Sequence, residues 1–416
     1  MERVDSRSAL IFPEVSPESV GMSSPALARI REASISGIDR HLHAGTVSLV
    51  ARHGKIVHFE TVGMQDREAA VPMARDTIFR VFSNSKLVTS VAVMMLYEAG
   101  RLTLDDPVSK YLPALGNLQV GVEEGEGQSR TLKLVPSRRD MTVQDLLCHT
   151  GGLSYGWNPN ALVDKLYGET GVYVRDLTIA ETVEKLGKLP LKHHPGSVWE
   201  YSISCDVLGR LVEVVSGQRY DRYLEEKIFQ PLAMSDTGFY VPPEKTGRFA
   251  ADYKINEQGV AYRVAAPDVA SRHLNTAWNF LAPPTYFGGG GGLVSTTMDH
   301  LHFWQMLLNK GHLGEVRILQ PETVELMTRN HLAPETEISE FGQGMGVQQG
   351  MFGIGFRLMV PPDGKRGWHC SWGGAAGTSV WMDPVNDLLG IYMIQIHNHD
   401  AAYHFRELVY DAIVDR

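Results

Sequence analysis

Apolar and polar positions along the chain change their period three times. After a helical stretch near Pro25–His41, Thr46–Arg52 and Lys55–Val62 are short apolar-rich runs joined by His53-Gly54, the signature of a β-hairpin. From Ser85 to Ala99 the pattern is apolar almost all the way round, which predicts a helix inside the molecule, ended at Gly100. The chain then reads as mainly helical to about residue 285, with helices over Thr142–His149, Ser204–Ser216 and Tyr220–Phe229. Thr142 and Asp145 have the spacing of a capping box, and Gly151-Gly152 supplies the stop. Gly121–Gln128 reads as a polar loop in solvent. Beyond the glycine run Gly288–Gly292, helices are expected near Met298–Lys310 and Pro321–Thr328. Strands then return over Gly355–Val360, Gly377–Asp383 and Leu388–Ile396, closed by a helix over Ala401–Val414.

Strands at both ends with helices between predict an α+β fold: one antiparallel sheet flanked by helices, built from both terminal segments, with a mainly helical domain inserted. On this reading residues 1–82 and 290–416 form the α/β domain, residues 83–289 form the helical one, and a site lies between them. A length of 416 residues supports two such units, and 43% apolar with 21% charged residues is an ordinary balance for a globular protein. The net charge of −9 with no basic run speaks against nucleic-acid binding. Cys148, Cys205 and Cys370 are scattered and form no CxxC pair, which suits reduced thiols in a cytoplasmic protein. The mixed-sign start and the short apolar run Ala9–Phe12 do not make a secretory signal, and no run reaches the length of a membrane span. The expected location is therefore the cytoplasm, with neither a membrane nor a nucleic acid as partner.

The first candidate for chemistry is Ser83-Asn84-Ser85-Lys86, at the start of the internal helix. Residues three apart on a helix share a face, so Lys86 can reach the Ser83 oxygen. Burial disfavours an ammonium, and a neutral amine can take the serine proton; the helix N-terminus favours the negative charge that develops on Ser83. The same four residues also fit a capping serine followed by a lysine whose head reaches water. The spacing alone does not choose between the two.

Three further segments do. Pro195–Ser204 places Tyr201 at a turn just before a helix; Met141–Leu153 is a helix with its stop; Ser371-Trp372-Gly373-Gly374-Ala375-Ala376-Gly377 precedes a strand. With Ser83–Lys86, in this order and over nearly the whole chain, they resemble the serine β-lactamase and penicillin-binding-protein fold. The nearest likeness is to the family VIII carboxylesterases and the related acyltransferase of lovastatin biosynthesis. The resemblance implies Ser83 as nucleophile, Lys86 as its partner and Tyr201 as second acid/base. Which of Lys86 and Tyr201 takes the first proton stays open, because a coupled pair titrates as a unit. The resemblance also places Trp372, Gly373 and Gly374 against the substrate, where β-lactamases carry a cationic triplet that holds the antibiotic carboxylate. Here the anion clamp is replaced by an indole, and Ile203 replaces an amide-bearing residue, so the expected substrate is a small neutral carboxylic ester. The N–H groups of Ser83 and Ala375 would form an oxyanion hole, a role served by glycines that let the backbone approach closely.

The expected reaction is ester hydrolysis through an acyl-enzyme on Ser83, with no metal and no cofactor. Acyl transfer to an alcohol or amine uses the same residues, while a β-lactamase or D-amino-acid peptidase fits Trp372 and Ile203 less well. A non-catalytic binding protein has no reason to keep Ser83, Lys86 and Tyr201 together. Other motifs carry less. Gly152-Leu153-Ser154-Tyr155-Gly156 matches the G-x-S-x-G nucleophile elbow, but that elbow needs a strand before it and a helix straight after. Ser154 is therefore expected at the rim of the pocket, with Tyr155, Trp157, Tyr286 and Phe287 as candidates to line an acyl pocket and the first two as substrate contacts. No Gly-Lys-Ser/Thr follows Gly288–Gly292, so close backbone packing beside the site is expected, not phosphate binding. His193-His194 and His397-Asn398-His399-Asp400 lack zinc-site spacing and are expected as solvated loop residues.

Overall fold

In the computed structural model, residues 12–172, 177–264, 279–347, 350–359, 369–397 and 401–414 are described. The architecture rests on one seven-stranded sheet. Its strands are β1 (Gly45–Arg52), β2 (Lys55–Asp66), β3 (Val71–Pro72), β4 (Arg357–Met359), β5 (His369–Gly373), β6 (Ser379–Asp383) and β7 (Leu388–Ile394). They lie in the order β4-β5-β6-β7-β1-β2-β3, each antiparallel to its neighbours. The seam between the terminal segments is β1 against β7, running from Thr46 opposite Ile394 to Arg52 opposite Leu388. The hairpin turn is His53-Gly54, with φ of 53° and 67°, as a two-residue turn matched to strand twist requires.

Both faces of this sheet are covered, which explains why its central strands read as continuous apolar runs. On β1, Val47, Leu49 and Ala51 face one core and Val50 faces the other; on β7, Leu389, Ile391 and Met393 alternate with Leu388, Tyr392 and Ile394. The smaller core lies under α1 (Ser24–Asp39) and the C-terminal α7 (Ala401–Asp411). The larger one is shared with α2 (Ser85–Glu98), α3 (Val143–Leu147), α4 (Ser204–Ser216) and α5 (Thr297–Leu308). A short helix, α6 (Glu340–Gly344), lies beside it. Each fully buried Val, Leu or Ile in these layers contributes about 1.5–3 kcal/mol, so the two alternating faces hold the sheet between its helices. α2 is enclosed over every residue from Ser85 to Met94, as its unbroken apolar pattern predicts. α3 begins with the expected capping box: the Asp145 N–H donates to Thr142 Oγ1, and the Thr142 N–H to Asp145 Oδ2.

Three expectations change. Gly121–Gln128 is not a loop throughout: Gln119–Glu124 pairs with Thr131–Pro136 in a two-stranded ribbon. The ribbon's ladder satisfies its backbone although Val122 and Leu134 stay exposed, so burial, the usual sign of a strand, is weak there. It is rooted by the Gly121 N–H donating to the Leu191 carbonyl. The helix expected over Tyr220–Phe229 turns from α to π form at Glu225. The segment Ser371–Gly377 precedes a strand, β6, as expected, but its first three residues already end another, β5, and the Gly374–Gly377 turn joins the two. Val360 lies outside the described residues. No described helix is long and apolar enough to cross a membrane.

Candidate active site

Ser83 sits in a single 3-10 turn, Phe82–Asn84, that runs directly into α2. Phe82 has a φ of 42°, a strained value for a residue with a Cβ, and is fully buried, so the surrounding core holds the turn in place. Lys86 follows one turn later. Its Nζ lies 3.2 Å from Ser83 Oγ and donates at 2.5 Å to the carbonyl of Gly290. It also lies 4.6 Å from the centre of the Tyr201 ring and 5.4 Å from that of Tyr155. Lys86 is 2% exposed, which rules out the capping-and-snorkelling arrangement for this lysine.

Tyr201 enters from the turn before α4, and its hydroxyl donates to Ser83 Oγ at 2.6 Å. Ser83, Lys86 and Tyr201, separated by up to 118 residues of chain, therefore meet at one oxygen. Hydroxyls accept as well as donate, so the Tyr201–Ser83 contact serves proton transfer in either direction. His149, at φ 57°, backs the group: its ring centroid is 5.0 Å from that of Tyr201, and the Ser202 N–H donates to its Nδ1. Burial, and after it the Lys86 charge, hold the His149 imidazole well below the usual histidine range.

The third wall is the end of β5 and its turn. Beyond Ser371, β5 pairs only with β6, leaving the other edge of Trp372 and Gly373 without a strand partner among the described residues. The turn docks on the Ser83 segment, because Asn84 Nδ2 donates to Thr378 Oγ1 and a Cβ on Gly374 would fall 2.5 Å from the Val81 carbonyl oxygen. Only glycine permits that approach. The backbone bonds closing the turn come from Gly374 and Gly377, while Ala375 is exposed with its N–H outside them. Trp372 is 4% exposed, 5.8 Å from Tyr201 and 5.7 Å from Phe352 between ring centroids. Tyr155 and Trp157, stacked at 4.2 Å, lie 5.2 and 5.9 Å from Tyr201.

Other candidates fall elsewhere. Ser154 is buried and donates to Asp164 Oδ1 at 2.7 Å, inside a buried knot in which Lys192 bridges Asp164 and Glu200. Burial opposes ionisation of Glu200, but His193 and Lys192 together hold its carboxyl below the usual range. The G-x-S-x-G motif thus braces the loop that carries Tyr155 and Trp157, and no helix follows it directly, the next one starting only at Leu162. Phe287 packs on Phe239 and Arg219, away from the Tyr201 rings; Tyr286 and Ile203 are buried core. His193 and His397 are not solvated loop residues as expected: they face Glu200 and Asp252, at 3.7 and 3.1 Å. Asn398, His399 and Asp400 lie outside the described residues. Among the described residues no cluster of His, Cys, Asp or Glu could hold a metal ion.

Two contributors were not singled out from the sequence. Gly290 supplies the carbonyl that Lys86 binds, and a Cβ there would meet Asp206 Oδ2 at 2.5 Å and Tyr155 Oη at 3.0 Å. The compact glycine run was the available signal. Phe341, in α6, stacks on Tyr201 at 5.8 Å between ring centroids and carries no signal in the chain, since it belongs to no recognisable motif.

A seven-stranded antiparallel sheet with helices on both faces, and a Ser-x-x-Lys turn meeting a tyrosine at its edge, define a β-lactamase-like fold. Residues 35–411 match the Beta-lactamase family, and the chain belongs to it. Protein Rv1367c of Mycobacterium tuberculosis is 34% identical over 88% of both chains. Esterase EstB of Burkholderia gladioli is 31% identical over 85% of this chain and 86% of its own. Among solved structures, EstCE1, described as a hydrolase with promiscuous acyltransferase activity, superposes with a TM-score of 0.76 at 26% identity, over 94% of this chain and 99% of that one.

Proposed function

We propose that this chain is a serine carboxylesterase that hydrolyses small neutral esters through an acyl-enzyme on Ser83. The observation that carries the reading is the convergence of Tyr201 Oη, at 2.6 Å, and Lys86 Nζ, at 3.2 Å, on Ser83 Oγ inside an aromatic enclosure. Ser83 Oγ passes its proton to the Lys86–Tyr201 pair as the Oγ–carbonyl carbon bond forms. The resulting oxyanion is held by the Ser83 and Ala375 N–H groups; one such donor is worth about 3–4 kcal/mol of barrier. Collapse breaks the ester C–O bond, and Tyr201 returns the proton to the departing alkoxide. Water then attacks the acyl-Ser83 ester by the same path in reverse, releasing the acid and restoring the serine.

The absence of a cationic residue at Trp372 favours neutral esters over β-lactams bearing a free carboxylate. Acyl transfer to an alcohol is the second reading, favoured by the acyltransferase activity in the description of EstCE1. It requires only that an alcohol reach the acyl-enzyme before water. Intact-mass spectrometry across a panel of chromogenic esters tests the proposal: an acyl adduct should appear on the wild type and be absent from Ser83→Ala. Ester turnover with no adduct, or an active Ser83→Ala enzyme, refutes it.

A further inference from the structure

Phe341 is 47% exposed, yet it is fastened to the site. Its ring stacks on Tyr201 at 5.8 Å with an interplanar angle of 18°, and meets Trp157 edge-on at 5.6 Å. The segment that carries it is rooted on the residues just before Tyr201. Glu337–Ile338 pairs in parallel with Val198–Trp199, the Ser339 N–H donates to the Trp199 carbonyl, and Thr336 Oγ1 donates to that of Gly196. Ser339 caps α6 by accepting from the Gly342 N–H, and Gly342 lies so close under the Trp199 indole that a Cβ would fall 2.6 Å from its ring. The position of Phe341 relative to Tyr201 is therefore set by backbone pairing before it and by the packing of Gly342 on Trp199 after it, even though half of the ring faces water.

A large aromatic surface left exposed forgoes burial unless something covers it. Its place in the site says what does. In the ester reading, on which this inference rests, Tyr201 hands the proton to the leaving alkoxide, so the alcohol half of the substrate lies on the Tyr201 side of the reacting carbon. Phe341 and Trp157 form the outer continuation of that side, one ring parallel to Tyr201 and the other roughly across it. We propose that Phe341 and Trp157 form a leaving-group subsite that selects esters of aryl-bearing alcohols. A flat ring from the alcohol stacks on one of the two and meets the edge of the other, a pairing of quadrupoles that an alkyl chain cannot reproduce. Phe341 is thus a specificity residue: its ring stacks on that of Tyr201 but gives the proton relay neither a donor nor an acceptor.

The test uses the full-length enzyme and two ester series. In the first the acyl group is acetyl and the alcohol is ethanol, 1-butanol or 2-phenylethanol; in the second the alcohol is ethanol and the acyl group is acetyl, butyryl or phenylacetyl. For Phe341→Ala, the ratio of kcat/KM for 2-phenylethyl acetate to that for ethyl acetate should fall about tenfold, the scale of one aromatic pair. The corresponding ratio in the acyl series should stay within about twofold, because that half of the ester lies elsewhere. Phe341→Trp should restore the alcohol preference and Phe341→Leu should not. Product inhibition by 2-phenylethanol should weaken in Phe341→Ala, a readout that a merely structural role would not move. Wild-type turnover with a loss that follows the acyl group, or with no change in either ratio, overturns the subsite while leaving the ester reading standing. No wild-type turnover in either series overturns both.

Discussion

Tyr201→Phe removes one oxygen and nothing else. The ring is 5% exposed and held among Tyr155, Trp157, Trp199, Phe341 and Trp372, so phenylalanine fills the same space. Ser83 Oγ keeps its contact with Lys86 Nζ at 3.2 Å, so no buried acceptor is orphaned, and stability should change by no more than about 1 kcal/mol. The lost contact is the shorter of the two that reach Ser83, at 2.6 Å. Proton transfer by a positioned group contributes about 10²–10⁴-fold, so acylation should slow by that factor, or about 3–5 kcal/mol of barrier. Lys86→Met should do similar damage, and the double variant should be little worse than either single one, because members of one proton-transfer unit are not additive. The assay is the rate of the p-nitrophenol burst from a p-nitrophenyl ester under pre-steady-state conditions, with thermal unfolding as the check on the fold. A Tyr201→Phe enzyme that keeps more than about a tenth of the burst rate, or losses that multiply in the double variant, would refute a shared relay.

Ser154→Ala should keep most ester hydrolysis but lower stability by about 1–3 kcal/mol, since it strips a donor from the buried Asp164 carboxylate; an inactive, stably folded variant would move the nucleophile to the G-x-S-x-G motif. Nitrocefin should be turned over far more slowly than a p-nitrophenyl ester, because a lactam carboxylate facing Trp372 is desolvated without a partner at a cost of several kcal/mol; comparable efficiencies would restore the lactamase reading. Thr142→Ala should cost about 1 kcal/mol of stability by opening the capping box of α3, measured by denaturant unfolding; no change would mean that the Arg139–Asp145 pair holds the helix start unaided. Burial is the main cause that holds the His58 imidazole down at about 4, so between that value and 6.5 the unfolded chain binds a proton that the folded one does not. Stability due to this group is therefore full above 6.5 and is lost as pH falls through 4, by up to about 3 kcal/mol. His58→Gln should flatten the acid limb of the stability profile, and an unchanged slope would show that another group titrates there.

Much of the scaffold is legible in the chain because its elements obey local rules. The β-hairpin at His53-Gly54 follows from two positions that accept positive φ, the α3 capping box from residues three apart, and the enclosed α2 from a run with no polar face. The Gln119–Pro136 ribbon was not legible, because a two-stranded ladder closes on backbone bonds alone and leaves no burial pattern. Ser83 and Lys86 share a helical turn, so their proximity is a property of sequence spacing. Tyr201 does not, and neither do Gly290 or Phe341, which lie 118, 204 and 140 residues away from Ser83, Lys86 and Tyr201 respectively.

What the sequence determined by itself is therefore whatever a few neighbouring residues settle: periodicity, caps, turns and the Ser-x-x-Lys turn. What the tertiary structure decided is which distant groups share an oxygen and which share only a motif. Ser154 carries the pattern of a nucleophile, yet the fold commits its hydroxyl to Asp164; Gly290 carries no chemistry in its side chain, yet close packing against Asp206 and Tyr155 brings its carbonyl to Lys86. The physical reason is that hydrogen bonds in a desolvated site depend on distances of a few tenths of an ångström, and those are set by the packing of α2, α4 and the β5 turn together.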